Sequence, residues 1–294
     1  NRHVQRGVAG QHHSVTVEIA GRHYERTYSL MQLDADHLCL TVKKVDQGLV
    51  SSWLVEQSKV GDIVYLGQPY GDMQQHIQTS NLLLLAAGSG ITPMLSLIES
   101  LSQTKQFSTT SVQLMYWVKT QADAAYAEYL KETAENFSQF SYQIFYTQEP
   151  DQRLNQNHVE QISALNATTV YACGPSGFAA TVETLFSDAA LLQTEAFSLS
   201  QLDVGASETG FINVRLTQSN KTVVIPKGQS ILASLEHQGI KPNHGCRMGI
   251  CNKCACTKAQ GSTQNLLNGS ANHEPAQLLK ICVNSAQSDL VIDL

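Results

Sequence analysis

Four cysteines constrain this chain more than any other feature. Cys246, Cys251 and Cys254 stand at C-x4-C-x2-C spacing, and Cys282 follows 28 positions later. This is the ligand spacing of a plant-type [2Fe–2S] cluster. Three thiolates must converge from one tight loop whose backbone N–H groups point at the sulfides. Gly245 and Gly249 give that loop access to cramped or positive-φ conformations. The fourth thiolate, from a separate element, pins the loop against the fold. Two other readings exist. Structural zinc modules usually present paired C-x2-C knuckles, and only one half of this pattern has that spacing; a disulfide pair is the second. Cys256, two residues past a ligand, finds none of the four slots open and reads as a packing residue.

The cysteines are concentrated rather than spread. A secreted disulfide scaffold is usually short and cysteine-dense throughout, so a reducing, cytoplasmic location is expected. No stretch approaches the roughly 18 apolar residues of a membrane span. The net charge is −6, yet the tail from Phe211 holds eight basic and four acidic residues, which leaves the body strongly acidic. Without a basic run, neither part reads as a nucleic-acid binder. Scattered solvated charge accounts for the asymmetry, and docking of tail on body is the sharper alternative.

At 294 residues the chain is too long for one compact core, so two or three domains are expected. Residues 14–19, 38–42 and 62–66 alternate polar and apolar, with Gly21, Gly48, Gly61 and Pro69 between them, as in an antiparallel barrel. A barrel opening at residue 1 would lack an edge, and residues upstream are expected. From residue 81 the pattern changes. Apolar runs at 81–87, 112–118, 142–146 and 169–172 alternate with helical periodicity through Met94, Leu97, Ile98 and Leu101, then at about 122–136 and 158–165. Strand alternating with helix implies a parallel sheet covered on both faces. Residues 198–209 are polar and Ser/Gly-containing, as in a linker. The expected division is 1–76, 77–200, a linker at 201–209, and a β-rich 210–294.

Three motifs lie in the body. Arg26-Thr27-Tyr28-Ser29, read as the end of a strand, offers a guanidinium fork, a flat ring and a hydroxyl. Gly48-Leu49-Val50-Ser51-Ser52 reads as a glycine turn whose serines open a short helix with free N–H groups. Gly88-Ser89-Gly90-Ile91-Thr92-Pro93 follows the first parallel strand, where backbone can approach a pyrophosphate, and Cys173-Gly174-Pro175 ends another strand on the same edge. Alone, each has an ordinary structural explanation: surface cover, a helix cap, a turn, a small buried thiol.

Together, in this order, these motifs resemble the ferredoxin–NADP reductase superfamily over about residues 10–197. The tail resembles a plant-type ferredoxin domain on Gly228-Gln229-Ser230-Ile231-Leu232, the cysteine loop and Ser288-Asp289-Leu290-Val291-Ile292-Asp293. The resemblance implies a multidomain chain: an antiparallel β-barrel flavin domain, an α/β parallel-sheet nicotinamide domain and an α+β, β-grasp [2Fe–2S] domain. It implies that Arg26, Tyr28 and Ser29 hold the flavin, with Ser29 near N5, and that Gly48, Ser51 and Ser52 face its phosphate side. It also implies that Gly88, Gly90, Thr92, Pro93, Cys173, Gly174 and Pro175 receive NAD(P)H, with Ser29 and Cys173 at the reacting centre. FAD is expected over FMN, because the glycine-richer run of FMN-binding relatives is missing at residue 48. Gln68 and Met73 depart from residues more often found in relatives.

Such a chain takes hydride from NAD(P)H on a flavin and releases electrons singly through the cluster. Hydride transfer demands no strong acid–base residue. The expected partners are a terminal oxygenase, a hydroxylase or a desaturase, including a membrane-bound one. A redox-sensing carrier with little turnover is the alternative.

Overall fold

The computed structural model describes residues 7–46, 48–71, 73, 79–197, 210–245, 249, 252–267 and 269–294. It has two compact units, residues 1–198 and 199–294. The expected linker at 201–209 lies outside the described residues.

The first unit opens with an antiparallel sheet of order β3-β2-β1-β4, comprising β1 (His12–Ile19), β2 (Arg22–Gln32), β3 (Leu38–Leu40) and β4 (Tyr65–Tyr70). Val15 and Val17 on β1 are fully buried with Val50, and Tyr28, Tyr24 and Trp53 pack around them. The fourth strand starts later than the alternation suggests. Lys59 and Asp62 close a turn on each other, the Asp62 carboxylate accepting the Lys59 N–H at 2.7 Å, and pairing begins only beyond it. Residues 26–29 lie inside β2 rather than at a strand end, because β2 is extended by pairing first with β1 and then with β3. The serines do not open α1 (Leu49–Ser52). Gly48 is its N-cap, and the Ser51 hydroxyl closes the turn from within by donating to the Gly48 carbonyl and accepting the Val45 N–H.

The second sheet is parallel, of order β7-β6-β5-β8-β9. Its strands are β5 (Asn81–Ala87), β6 (Ser111–Val118), β7 (Phe140–Tyr146), β8 (Thr169–Gly174) and β9 (Leu191–Ala196). Alternation along β5 divides its side chains between two clusters. Leu82, Leu84 and Ala86 join α2 (Ile91–Gln103) through Met94, Leu97, Ile98 and Leu101. Leu83, Leu85 and Ala87 turn to the other face, where Val182 of α5 (Ser176–Leu185) and Phe186 cover them. A strand buried on both faces reads as a continuous apolar run for this reason.

Two helical expectations are corrected. The helix read from residue 122 begins only at α3 (Ala127–Asn136), since a Thr120–Asp123 capping box closes a separate short turn and Tyr126 adopts φ +64° before the helix. The periodicity over 158–165 is that of successive turns. Only α4 (Gln156–Val159) is α-helical, and Val159, Ile162 and Leu165 reach the same cluster from separate turns.

The second unit has one sheet of order β11-β10-β17-β12-β15 and a small one of order β14-β13-β16. The strands are β10 (Phe211–Leu216), β11 (Lys221–Pro226), β12 (Ala255–Gln260), β13 (Thr263–Asn265), β14 (Ala271–Asn272), β15 (Gln277–Lys280), β16 (Asn284–Ala286) and β17 (Leu290–Ile292). Helix α6 (Ile231–His237) is capped by Ser230, whose hydroxyl accepts the Ala233 N–H at 3.1 Å, and buries Ile231, Leu232 and Leu235 against the larger sheet.

Gly90 marks the tightest approach in the first unit: a Cβ there would lie 2.0 Å from the Cys173 carbonyl oxygen. Backbone cannot yield cheaply, so Gly90→Ala is expected to cost about 1–3 kcal/mol in urea unfolding.

Candidate functional site

The order β7-β6-β5-β8-β9 reverses direction between β5 and β8, and open α/β sheets bind ligands beyond the carboxyl ends of strands at such a point. A cavity of about 730 Å³ lies there, within the usual range for a small-molecule site. Ala87, Gly88, Ser89 and Thr92 supply one wall, Trp117, Val118 and Lys119 the next, and Pro175, Gly177 and Phe178 a third. Thr41, Val42 and Lys43 reach it from beyond β3. Gly88 has φ +56° and nothing within 4 Å of where a Cβ would stand, so its backbone turns at open space. Lys43, Lys119 and Arg153 line the cavity against the single carboxylate of Asp123, a surplus that suits a polyanion. The Asp123 carboxyl is held below its ordinary range, first by the Thr120 hydroxyl and more weakly by Lys43 and Lys119.

The sequence motifs are brought together in part. Alternation along β2 sends Arg26 and Tyr28 to one face and Ser29 to the other, with Val15 and His13 opposite the first pair and His12 opposite Ser29. Arg26 is exposed and donates to the Glu25 carbonyl. Burial raises the Tyr28 phenol, with Arg26 opposing. Ser29 is buried, its Oγ 2.9 Å from His12 Nδ1, and His12 Nε2 is hydrogen-bonded to Glu195 at the end of β9. Cys173 is fully buried, and burial followed by the Glu195 charge pushes its thiol well above the ordinary range. It is a neutral thiol at neutral pH. Gly174 is closely packed as well, since a Cβ there would meet Ala87 Cβ at 2.8 Å.

In the second unit Cys254 and Cys282 are buried, and their sulfurs, from different elements, stand 3.0 Å apart. Cys246 and Cys251 lie outside the described residues. Between them Gly249 adopts φ +78°, with Val283 Cγ2 3.0 Å from a would-be Cβ, and its carbonyl accepts from Lys280 Nζ at 2.6 Å. Gly249 is thus tied to the strand that leads to Cys282. Two buried thiols held together without a disulfide, beside a glycine in the left-handed region, fit a thiolate-ligated cluster. Cys256 is buried and packed, its thiol pushed up to about 12 by burial first, then by Cys254 and Asp293.

Three families match this chain in register with these features: an oxidoreductase FAD-binding domain over residues 2–75, an oxidoreductase NAD-binding domain over 84–184, and a 2Fe-2S iron-sulfur cluster binding domain over 214–284. An NADPH oxidoreductase of Mycobacterium tuberculosis is 30% identical, over 97% of this chain and 76% of that protein. The chain belongs to the ferredoxin–NADP reductase family, in the branch with a C-terminal [2Fe–2S] domain. The solved structure of phthalate dioxygenase reductase matches at TM-score 0.70 and 25% identity, over 99% of this chain and 89% of that one. The glycine betaine monooxygenase reductase subunit of Pseudomonas aeruginosa is 23% identical over 97% of this chain and 86% of its own length. The reductase is an oxidoreductase whose electrons pass from NAD(P)H to FAD and on to [2Fe–2S]. No helix among the described residues is long and apolar enough to cross a membrane.

Sequence reasoning missed His12, Glu195 and Phe197. His12 and His13 belong to no motif in the sequence; both are buried and hydrogen-bonded, His13 Nδ1 lying 3.2 Å from the Gly67 carbonyl. Glu195 sits in a short edge strand with no clean alternation, and its burial at 8% exposure was the signal that only the fold supplies.

Cys254→Ala in the reductase is expected to abolish bound iron and sulfide while flavin stays stoichiometric, whereas Cys256→Ala keeps both. At about pH 8 Cys256 should resist iodoacetamide in the native protein, because a thiol raised to about 12 remains protonated while an ordinary one near 8.5 is partly ionised. Iron and sulfide analysis and mass spectrometry of alkylated peptides check both.

Proposed function

We propose that the chain is the reductase component of an oxygenase system, passing single electrons to a terminal oxygenase, hydroxylase or desaturase. One observation carries this reading: a cation-lined cavity at a sheet switch point occurs on the same chain as a convergent thiol pair, so a hydride-accepting and a one-electron site are combined. Relatives named as reductase components of phthalate dioxygenase and glycine betaine monooxygenase support it. When bound, the flavin accepts a hydride and releases its electrons one at a time, and the cluster carries one electron per visit.

The chain's own residues divide the work. Gly88, Gly90, Thr92 and Pro93 bring backbone to the coenzyme, Thr92 anchoring its turn by donating to the Ser89 carbonyl at 3.1 Å. Cys173, Gly174 and Pro175 close the opposite wall, the thiol acting by shape and low polarity rather than as a thiolate. Lys43, Lys119 and Arg153 hold the coenzyme phosphates by charge. Arg26 and Tyr28 on one face of β2 and Ser29 on the other would hold the flavin. Gly48, Ser51 and Ser52 would face its phosphate side; the Gly48 and Ser52 N–H groups donate to the Val45 and Gly48 carbonyls and the Ser51 hydroxyl is used within its own turn, so the Ser51 N–H and the Ser52 hydroxyl are the donors offered to it. Cys246, Cys251, Cys254 and Cys282 hold the cluster.

Anaerobic titration of the purified protein with NADH and NADPH in parallel tests the reading. Both flavin and cluster absorbance should bleach with one coenzyme, released flavin should be FAD, and ferricyanide should turn over many times per flavin. Few turnovers would make the chain a redox sensor. Absence of iron, sulfide and flavin from protein prepared without air would sink both.

A further inference from the structure

We infer that the Tyr126 hydroxyl latches one wall of the coenzyme cavity through Thr41, and that this latch sets how tightly NAD(P)H is held. The inference rests on the reading of that cavity as the coenzyme site.

Thr41, Val42 and Lys43 follow β3 and reach the cavity from the antiparallel sheet, while Asp123 and Ala125 line it from the segment after β6. A side-chain bond joins these two walls. The Tyr126 and Thr41 hydroxyls share a hydrogen bond of 2.5 Å across 85 residues of chain, and the Cys39 sulfur lies 3.8 Å from the same phenol oxygen. Burial raises the phenol above its ordinary range, with Thr41 opposing, so the latch joins two neutral hydroxyls.

The backbone is built to aim this ring. Tyr126 has φ +64°, in the left-handed region that a bulky residue enters only where its surroundings hold it there. A helix begun at residue 122 would have given Tyr126 ordinary helical dihedrals instead. The Thr120–Asp123 capping box closes the preceding turn, and the Ala125 N–H donates to the Tyr116 phenol. Beyond the latch, the Tyr126 ring meets Tyr129 edge-on at a centroid distance of 6.2 Å, and the Tyr129 hydroxyl donates to Glu99 Oε2 of α2 at 2.9 Å. Tyr126 is thus held by α2 and α3. Thr41 is not held so firmly. It follows a three-residue strand at the edge of its sheet, one position past the last ladder pair, Leu30 with Leu40.

A segment tied by so few bonds opens at low cost. Coenzyme binds with full affinity only to the fraction of molecules whose wall is seated. One hydrogen bond between neutral groups shifts such a balance by about three- to tenfold. The latch seats the wall before the coenzyme arrives and adds nothing once the cavity is filled. Its loss therefore falls on binding and spares the chemical step. Tyr126 is a positioning residue, acting through Thr41 on Val42 and Lys43.

The readouts are the Kd of NAD⁺ and NADP⁺ for the oxidised holoenzyme by calorimetry, and kcat and KM for NADH and NADPH at saturating ferricyanide. Tyr126→Phe keeps the ring and removes only the hydroxyl. It should raise Kd and KM about three- to tenfold for the coenzyme the protein prefers, with kcat held within about twofold. In a Thr41→Val background the same change should have no effect, whereas Thr41→Ser, which keeps the hydroxyl, should bind far better than Thr41→Val. Gln103→Ala cuts a second tie between the antiparallel sheet and α2, where Gln103 Nε2 donates to the Gln32 and Leu33 carbonyls, each at 3.1 Å. It should leave Kd unchanged.

An unchanged Kd in Tyr126→Phe overturns the inference, whatever happens to its Tm. So does an equal loss in the Thr41→Val background, or an equal loss in Gln103→Ala, which would make the effect one of general packing. If Tyr126→Phe yields no flavoprotein, Thr41→Ser and Thr41→Val decide alone, and equal affinities overturn the latch. Unmodified protein that carries FAD yet binds neither coenzyme removes the coenzyme reading and this inference with it. Binding that is indifferent to Tyr126→Phe removes the latch only.

Discussion

Strand β5 has no polar face, and that condition organises the first unit. Its odd and even residues feed two separate apolar clusters, so helices must cover both sides and the strand must lie in the middle. Neighbours β6 and β8 then pair with it in parallel, from Asn81 opposite Ser111 and Leu82 opposite Thr169. Chain connectivity sends β6 one way and β8 the other, which opens a cleft beyond Ala87. The coenzyme cavity is a consequence of burying Leu82 to Ala86 completely rather than a separate invention.

The same burial made the strand legible. A continuous apolar run ending at Gly88-Ser89-Gly90 admits few other readings, and β6, β8 and α2 appear in the sequence for like reasons. Residues with mixed environments did not. Glu195 is a buried acid on a strand whose other members are half-exposed, so period and composition say nothing of it. His12 and His13 alternate faces like any strand residues, and only the fold shows that both faces are closed there. Turn chemistry misled in two places: Thr120 and Asp123 cut a helix short by satisfying each other, and three turns at 156–167 imitated one helix by aiming apolar residues at one cluster.

In the second unit, the 2Fe-2S domain was legible from cysteine spacing, because metal geometry restricts such spacing severely. What surrounds the described cysteines was not. Lys258 is buried at 1% exposure, donating through Nζ to the Asn272 carbonyl and to its Oδ1, with desolvation drawing its ammonium below the ordinary range and Glu274 opposing. A lysine on a short strand ordinarily signals solvent. Lys280 likewise looks like a surface charge until its Nζ is seen to donate to the Gly249 carbonyl.

Strand β17 is the middle of its sheet, pairing Leu290 with Val214 on one side and Ile292 with Lys258 on the other. The element that joins the two halves is therefore the last of the strands to be synthesised. Until residue 292 has left the ribosome, β10–β11 and β12–β15 are two hairpins without a shared centre, and loops spanning most of the unit must close before either gains cohesion. A scaffold able to seat iron and sulfide therefore requires β17 to be in place. Cys282 emerges only ten residues ahead of Ile292, so the last thiol and the strand that stiffens its scaffold arrive almost together.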